Sequence, residues 1–203
     1  MYYEVQKGQP IPYNPMYTCV VPRPIGWIST IDSRGAANIA PYSFFNSVSV
    51  DPPMIMFCPC GFHKDGGAKD SAVNAEETGE FVYNMANWDM RDAMNLSSAS
   101  LARNEDEFEH AGLIKASSNI VKAPRLEQSP VSFECKTWKI IDLPPAKNQS
   151  RNIIVIGEVV GVHIQDKYVV NGRIDVELMK PIARLGYKDY CVVENTFSIE
   201  RPD

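Results

Sequence analysis

The sequence predicts a mainly β fold in which helices are inserted into a β-barrel. Short apolar runs bounded by Gly, Pro and Asp occupy both ends of the chain, and such runs are typical of strands. Helical patterns are confined to about residues 70–112, so the order of elements favours a barrel over an alternating βαβ fold. The chain also has no G-x-G-x-x-G after a predicted strand and no P-loop, which argues against a Rossmann dinucleotide-binding domain.

Length and composition indicate one globular domain over residues 1–203. That length suffices for a core without disulfide bonds, and 44% hydrophobic and 22% charged residues are ordinary values. The net charge of −5 argues against nucleic acid as a partner, because nucleic-acid binders carry basic surfaces. The N-terminus lacks a signal-peptide pattern, and no uncharged apolar run reaches the roughly 18 residues of a membrane helix. We therefore expect a cytoplasmic protein without a membrane segment.

The five cysteines fit a reducing compartment, since their number is odd and they lack paired C-x-x-C spacing. Cys58 and Cys60, together with His63, would make half of a metal site. The alternative is that the two cysteines are small residues at the end of a strand, and the missing second ligand pair favours that interpretation. We therefore expect no metal site.

The first predicted element is an extended arm, because residues 1–16 contain three prolines among aromatic residues. A strand is expected over Tyr17–Val21. It leads into two strands that begin at Arg23 and are closed by a turn at Asp32–Gly35. A short apolar strand follows the corner at Pro52-Pro53.

The stretch from Asn38 to Ser49 is unusual for a strand, because small, hydroxyl and aromatic side chains replace the expected Val and Ile. Pro41 has no N–H for a β-ladder, so we expect this strand to lie at a sheet edge or to be bulged. A bulged edge leaves backbone N–H and C=O groups free. Together with the neighbouring rings and hydroxyls, it suits a flat ligand with a polar rim.

Helices are predicted only in the middle of the chain. Asp70 or Ser71 would cap a short helix that stops at Gly79. The elements that follow are a strand over Glu80–Ala86, a helix over Asn87–Leu101 capped by Asp89, and a short acidic helix over Asn104–His110.

Strands resume after about residue 130. Residues 131–136 alternate apolar and polar side chains, which predicts a half-buried strand. Asn152–Ile164 is rich in Ile and Val, which predicts a strand buried on both faces. Further strands are expected over Val169–Leu178 and Cys191–Ile199.

Three blocks of the chain match one family signature, in the order that the family has them. The first comprises Arg23-Pro24, Ile28-Ser29-Thr30, Asp32, Gly35, Asn38, Ala40-Pro41-Tyr42-Ser43-Phe44-Phe45, Val48-Ser49 and Asp51-Pro52-Pro53. The second comprises Lys69-Asp70-Ser71, Asn74, Glu77-Thr78-Gly79-Glu80-Phe81-Val82 and Asn84, and the third is Pro181-Ile182-Ala183-Arg184-Leu185-Gly186. Together they resemble the flavin reductase-like, FMN-binding split β-barrel family, which includes flavoredoxins and the reductase components of two-component monooxygenases.

The resemblance implies a split β-barrel homodimer with one FMN per subunit, at or near the interface. It implies an FMN-binding oxidoreductase that takes hydride from NADH or NADPH and passes electrons to free flavin for a partner monooxygenase, or to another acceptor. Because the flavin carries the reaction, no residue has to act as an acid or base. Two alternatives stay open: a flavoredoxin-like electron carrier that does not oxidise NAD(P)H, and a barrel without flavin that serves as a binding module.

Lys69, Asp70 and Ser71 form the candidate phosphate site. A helix N-terminus presents unpaired N–H groups and a partial positive charge, so it accepts anions. Lys69 and Lys64 would balance the phosphate charge, and Ser71 would donate its hydroxyl. The alternative is an ordinary capped helix with two solvated lysines. Spacing alone does not separate the two, and the resemblance favours the phosphate site because the family places the FMN phosphate near this block.

Pro41, Tyr42, Ser43 and Phe44 are the candidates for holding the isoalloxazine ring. Free N–H groups around Tyr42 and Ser43 would stabilise the negative charge of the reduced ring. Three further side chains would contribute: Ser49, Asn38 and Thr30. The alternative is that Phe44 packs in the core and the serines face solvent by strand alternation.

Four further residues carry individual predictions. Arg23 would reach the phosphate or the ribityl chain, or would pair with a surface carboxylate. His163 would guide the nicotinamide or tune the flavin, or would be a hydrogen-bonded core or interface group. Trp27 is expected in the core or a dimer interface rather than stacked on flavin. Tyr187 stands where the family usually has a second glycine after Gly186, which would narrow access to the flavin face.

Overall fold

The computed structural model describes residues 1–103, 105–148 and 150–202. The helices are α1 (Met16–Cys19), α2 (Asp70–Glu77), α3 (Arg91–Leu96), α4 (Glu107–His110) and α5 (Val176–Met179), with 3₁₀ turns at Val5–Lys7, Trp88–Met90 and Asp166–Tyr168. The strands are β1 (Arg23–Pro24), β2 (Gly26–Ile31), β3 (Ala37–Tyr42), β4 (Phe45–Val50), β5 (Pro53–Phe57), β6 (Glu80–Met85), β7 (Lys115–Ala116), β8 (Arg125–Leu126), β9 (Val131–Leu143), β10 (Asn152–Ile164), β11 (Val169–Val170), β12 (Arg173–Ile174), β13 (Ile182–Arg184) and β14 (Tyr190–Val192).

The main sheet has seven strands in the order β3-β2-β6-β9-β10-β5-β4, and neighbouring strands run antiparallel. Its two edge strands, β3 and β4, are joined by just two residues, Ser43 and Phe44. A flat sheet of this size would hold its edges almost 30 Å apart, whereas so short a connection spans only about 10 Å. The sheet must therefore curl on itself, which confirms the predicted barrel with inserted helices.

The first two strands of the main sheet form the predicted hairpin. The Asp32 carboxylate accepts hydrogen bonds from the backbone N–H groups of Arg34 and Ala36, at 2.9 and 2.8 Å. Gly35 completes the turn at φ 92°, where glycine is favoured. Within the described part of the chain, β3 pairs with β2 alone, so Pro41 lies on an edge strand as predicted. The bulge lies in β4 instead, between Ser47 and Ser49.

The prediction of a strand over Tyr17–Val21 is wrong, because most of this segment belongs to the single helical turn α1. The Asn14 side chain accepts a hydrogen bond from the Met16 N–H at 3.0 Å and starts the turn. The Arg23 guanidinium then binds the carbonyl oxygens of Tyr17 and Val20. Carbonyl groups at a helix end lack intrahelical donors, and here the side chain of Arg23, a few residues further along the chain, supplies them.

Helix α2 ends near Gly79 as predicted, but its start differs from the prediction. Lys69 is the N-cap residue, and among the described residues no side chain caps the helix. Asp70 pairs with Arg103, and the Ser71 hydroxyl donates to Asn38. Neither predicted cap acts as one, because each side chain has a partner elsewhere in the fold.

The helix predicted over residues 87–101 is shorter than expected. The 3₁₀ turn and α3 follow each other and end at Leu96. Asn87 is the cap instead of Asp89, since its side chain accepts a hydrogen bond from the Met90 N–H. Helix α4 begins after Asp106, which caps it. Asn104, the first residue of the predicted acidic helix, lies outside the described residues.

The two longest strands, β9 and β10, pair along their whole length. The bounds of β10 match the prediction, but its burial does not. Ile153 and Val155 are buried, whereas Val162 and Ile164 are exposed. The first half of β9 was predicted to have one exposed, polar face. Ser132 and Glu134 on that face are both buried, so the prediction is wrong there. The segment 117–126 explains this burial, because its backbone N–H groups bind side chains of the sheet.

The C-terminal part contains less strand than predicted. Residues 169–178 form the small hairpin of β11 and β12, followed by α5. The last strand, β14, covers three residues and joins β13 and β1 in a separate sheet.

The core lies on both faces of the main sheet. Trp27 and Ile28 are neighbours on β2, so their side chains point to opposite faces, and each belongs to a separate cluster of buried residues. Trp27 has no exposed surface and its indole N–H donates to Ser97 Oγ at 2.9 Å, which confirms the core interpretation. Among the described helices, none is long and apolar enough to cross a membrane.

Candidate functional site

Two of the matching blocks meet where β3 ends and α2 begins. The Tyr42 hydroxyl donates to Ser71 Oγ at 3.1 Å, which joins the first block to the second. The loop between β5 and α2 starts at the same place, because the Cys58 N–H donates to the Phe44 carbonyl at 2.9 Å. A strand edge, a glycine-rich loop and a helix N-terminus therefore converge on one region.

A chain of hydrogen bonds runs beneath this region. Ser71 Oγ donates to Asn38 Oδ1 at 2.8 Å, and Thr30 Oγ1 donates to the same oxygen at 3.1 Å. Asn74 Nδ2 donates in turn to Thr30 Oγ1 at 3.0 Å. Burial raises the pKa of the Tyr42 hydroxyl, so it stays a donor at neutral pH. The structure thus brings four predicted residues together, and their hydroxyl hydrogens are used inside the protein.

The two predicted lysines differ in their surroundings. Lys64 lies 3.7 Å from the Glu105 carboxylate. Lys69 immediately precedes the first turn of α2 and, within the described ranges, pairs with no carboxylate. Lys69 is therefore a stronger candidate than Lys64 for binding an anionic ligand.

Asp70 is held by two basic side chains. Its carboxylate pairs with the Arg103 guanidinium, and His63 Nε2 lies 3.3 Å from Asp70 Oδ2. The other ring nitrogen of His63 accepts a hydrogen bond from the Asp65 N–H at 3.1 Å. Sequence reasoning missed Arg103, and no local pattern marks it, because it is a single arginine between two helices.

Cys58 and His63, two residues of the half metal site that the sequence does not favour, make other contacts. His63 is buried against Asp70, and Cys58 Sγ lies 4.0 Å from Met56 Sδ. Burial raises the pKa of the Cys58 thiol to about 11, so it is protonated at neutral pH. The described part of the chain contains no group of three or more His, Cys, Asp or Glu side chains placed to hold a metal ion.

Arg23 is bound to backbone carbonyls rather than to a surface carboxylate. Besides the carbonyls of α1, it donates to the Leu185 carbonyl at 2.8 Å and to Ser43 Oγ at 3.4 Å. Its guanidinium also lies 5.9 Å from the centre of the Phe44 ring, and Tyr17 stacks on that ring at 5.9 Å. Arg23 thus ties the third block to the two residues that connect β3 and β4.

Ser49 and His163 lie outside this hydrogen-bonded cluster. Ser49 is on β4 and lines a groove with residues of β5 and β10. His163 Nε2 lies 2.5 Å from the Glu134 carboxylate, which is fully buried. That contact matches the interpretation of His163 as a hydrogen-bonded structural group.

Tyr187 occupies a backbone conformation that favours glycine, with φ 54°. Its carbonyl accepts a hydrogen bond from Arg184, and its ring packs edge-on against Tyr13 at 5.2 Å. Gly186 itself is tightly packed, since a Cβ there would lie 2.4 Å from Thr18 Oγ1. The position where the family usually has its second glycine is therefore a turn, and the N-terminal arm packs against the Tyr187 side chain that stands there.

Comparison with known proteins finds one matching family model and several solved structures with the same fold. Residues 16–175 match the flavin reductase like domain. Nitrilotriacetate monooxygenase component B from Bacillus cereus is 30% identical, with a TM-score of 0.88 over 98% of each chain. The 2-nitrobenzoate 2-nitroreductase NbaA from Pseudomonas fluorescens is 30% identical, with a TM-score of 0.81 over 99% of this chain and 93% of that one. A protein with a split barrel domain from Shewanella frigidimarina, 21% identical, has the same fold at a TM-score of 0.79 over 92% and 90% of the two chains.

Proposed function

Because the chain belongs to the flavin reductase-like family, we propose that it is an FMN-binding oxidoreductase. It takes hydride from NADH or NADPH and passes electrons to free flavin for a partner monooxygenase, or to another acceptor. Two relatives with 30% identity support a redox role, one being a monooxygenase component and the other a nitroreductase.

The observation that carries this proposal is the meeting of β3 and α2 through the Tyr42–Ser71 hydrogen bond. It puts β3, whose only sheet partner among the described strands is β2, beside a helix N-terminus. A flat ring with a phosphate-bearing tail needs both surfaces close together, one for the polar rim of the ring and one for the anion.

The donors in this region fit FMN. Lys69 and the first backbone N–H groups of α2 provide positive charge for the phosphate. The hydroxyl of Ser71 is already directed at Asn38, so its contribution to the phosphate is the backbone N–H. At the other end, the backbone of Tyr42, the last residue of edge strand β3, and of Ser43, which follows it, supplies groups for the ring.

The residues of the chain act by binding and orientation. Bound FMN would supply the redox chemistry, accepting a hydride and releasing electrons to an acceptor. Arg23 holds α1 and the third block against the strand edge through four hydrogen bonds. The chain from Tyr42 to Thr30 holds that edge against α2, so the distance between ring site and phosphate site is set by the fold.

A flavoredoxin-like electron carrier is the second candidate. It is favoured by the lack of a recognisable nicotinamide-nucleotide fingerprint in the sequence. A barrel without flavin that serves as a binding module is the third. The intact Asn38–Ser49 block and the sequence Lys69-Asp70-Ser71 speak against that last alternative.

An absorption spectrum from about 300 to 550 nm, followed by anaerobic addition of NADH or NADPH, tests the three. Flavin bands that bleach with either nucleotide support the reductase. Bands that persist point to a carrier reduced by a partner protein. A protein that shows no flavin bands after incubation with FMN would refute the proposed cofactor.

The phosphate site is tested by Lys69→Ala. We expect FMN affinity to fall at least tenfold, because a charge-assisted contact contributes about 1.5–3 kcal/mol and each 1.4 kcal/mol is about tenfold. Lys139→Ala, an exposed lysine on β9, is the matched control and should leave the affinity unchanged. If both variants bound FMN with the same affinity, the phosphate would have to bind elsewhere than at Lys69.

We also propose that the protein is a cytoplasmic homodimer. All five cysteines are free thiols, as expected in a reducing compartment. Exposed aromatic side chains of the N-terminal arm, such as Tyr2 and Tyr13, are candidates for the dimer contact. Sedimentation equilibrium of the full chain would give the mass of either a dimer or a monomer.

A further inference from the structure

Arg103 reaches from the segment between α3 and α4 to the loop that precedes α2. Its Nη2 donates to the carbonyl oxygens of Gly66 and Ala68, at 2.8 and 3.0 Å. Its Nη1 pairs with the Asp70 carboxylate, and its backbone N–H donates to Asp65 Oδ2 at 3.4 Å. One residue thus contacts four positions within the six residues 65–70.

These contacts orient the peptide groups of the loop. In a trans peptide, the C=O and the following N–H point in opposite directions. Because the carbonyls of Gly66 and Ala68 point toward Arg103, the N–H groups of Gly67 and Lys69 point to the opposite side of the loop. Positive φ angles of 88° and 75° at the two glycines permit this path.

The outward N–H of Lys69 leads directly into the first turn of α2, where further N–H groups lack intrahelical acceptors. Successive backbone N–H groups of this kind form a concave site for an anion. The orientation imposed by Arg103 therefore continues the helix N-terminus into the loop.

Arg103 also offsets the nearest negative charge. Asp70 lies in the first turn of α2, where its carboxylate would repel a phosphate. The guanidinium of Arg103 binds that carboxylate. Both residues line one cleft together with Asn74. Loss of Arg103 would release a loop and expose a competing charge at the same time.

We propose that Arg103 is a positioning residue of the FMN phosphate site. It shapes the loop 65–70 and neutralises Asp70 without itself contacting the phosphate. This inference rests on the proposed function, and it adds a residue outside the three matching blocks.

The test compares FMN with riboflavin, which has the same ring and no phosphate, as ligands of the full chain. We expect Arg103→Met to weaken FMN binding at least tenfold while riboflavin affinity changes less than twofold. Arg103→Lys keeps the charge but lacks the planar fork that binds two carbonyls and a carboxylate, so it should restore FMN binding only in part. Arg173→Met, an exposed arginine on β12, is the matched control.

Each outcome decides the matter. A preference for FMN over riboflavin that falls in Arg103→Met supports the positioning role, because retained riboflavin binding shows that the fold and the ring site are intact. Equal losses for both flavins would show a general effect on the fold and overturn it. An unchanged preference in both variants would overturn it as well, while the proposed function would stand. A wild-type protein that binds neither flavin would refute the proposed function and this inference with it.

Discussion

Replacing Glu134 with Gln tests how β9 holds the segment 117–126. The Glu134 side chain has no exposed surface. Its carboxylate accepts hydrogen bonds from the backbone N–H groups of Asn119, Ile120 and Val121, at 2.8, 2.6 and 2.9 Å. A buried carboxylate with this many donors is strongly stabilised in its charged form.

The size of the effect follows from the pKa of Glu134. Burial alone would raise this pKa, but the three N–H donors and His163 outweigh it and lower the pKa from 4.5 to about 2. The gap corresponds to about 3 kcal/mol of folding free energy, since one pKa unit is about 1.4 kcal/mol. Because the folded pKa is depressed, this stabilisation is complete above the unfolded pKa and is lost as the pH falls through about 2.

Urea denaturation of Glu134→Gln and wild type at several pH values between 7 and 2.5 measures the prediction. The amide presents an NH₂ group to backbone donors, so we expect the variant to lose about 3 kcal/mol at pH 7. The gap should narrow as the pH falls below about 4.5, because the unfolded wild type then takes up a proton at Glu134 while the folded carboxylate, with its pKa of about 2, stays charged. Glu158→Gln, an exposed residue on β10, is the matched control and should follow the wild type.

A gap that is the same at pH 7 and pH 3 would refute the reasoning, because the loss would then not depend on the charge of Glu134. So would a loss below about 1 kcal/mol at pH 7, which is within the range of a single neutral hydrogen bond.

Three further predictions concern buried packing and buried polar groups. Gly157→Ala should lose about 1–3 kcal/mol in urea denaturation, because its Cβ would lie 2.4 Å from the Phe81 ring; an unchanged midpoint would show that the ring moves freely. Tyr42→Phe should lose about 1 kcal/mol, and Ser71→Ala more, because the latter leaves the Tyr42 hydroxyl without its acceptor; the reverse order would contradict this chain of hydrogen bonds. Burial raises the pKa of Glu107, which is 7% exposed, so the wild type loses stability as the pH rises above the pKa of Glu107 in the unfolded state. Glu107→Gln should therefore be more stable than wild type at pH 7 and equal to it at pH 4. A variant less stable at pH 7 would oppose that sign.

Local chemistry was enough to predict much of the barrel. The turn at Asp32 forms from contacts within four residues, and Pro41 marks an edge strand because it lacks an N–H. The bounds of β10 could also be predicted, because a continuous run of Ile and Val is visible in the sequence without knowledge of the partner strands. The match of three blocks to one family likewise needed nothing beyond the order of residues.

The tertiary structure decided which polar groups pair over long distances in the chain. Arg23 binds the Leu185 carbonyl 162 residues away, and Asp70 is no cap because Arg103 binds its carboxylate. Glu134 is buried because a segment about 14 residues away supplies its donors. A side chain that satisfies distant backbone groups leaves no periodic pattern in the sequence, since its position depends on where the rest of the chain has packed.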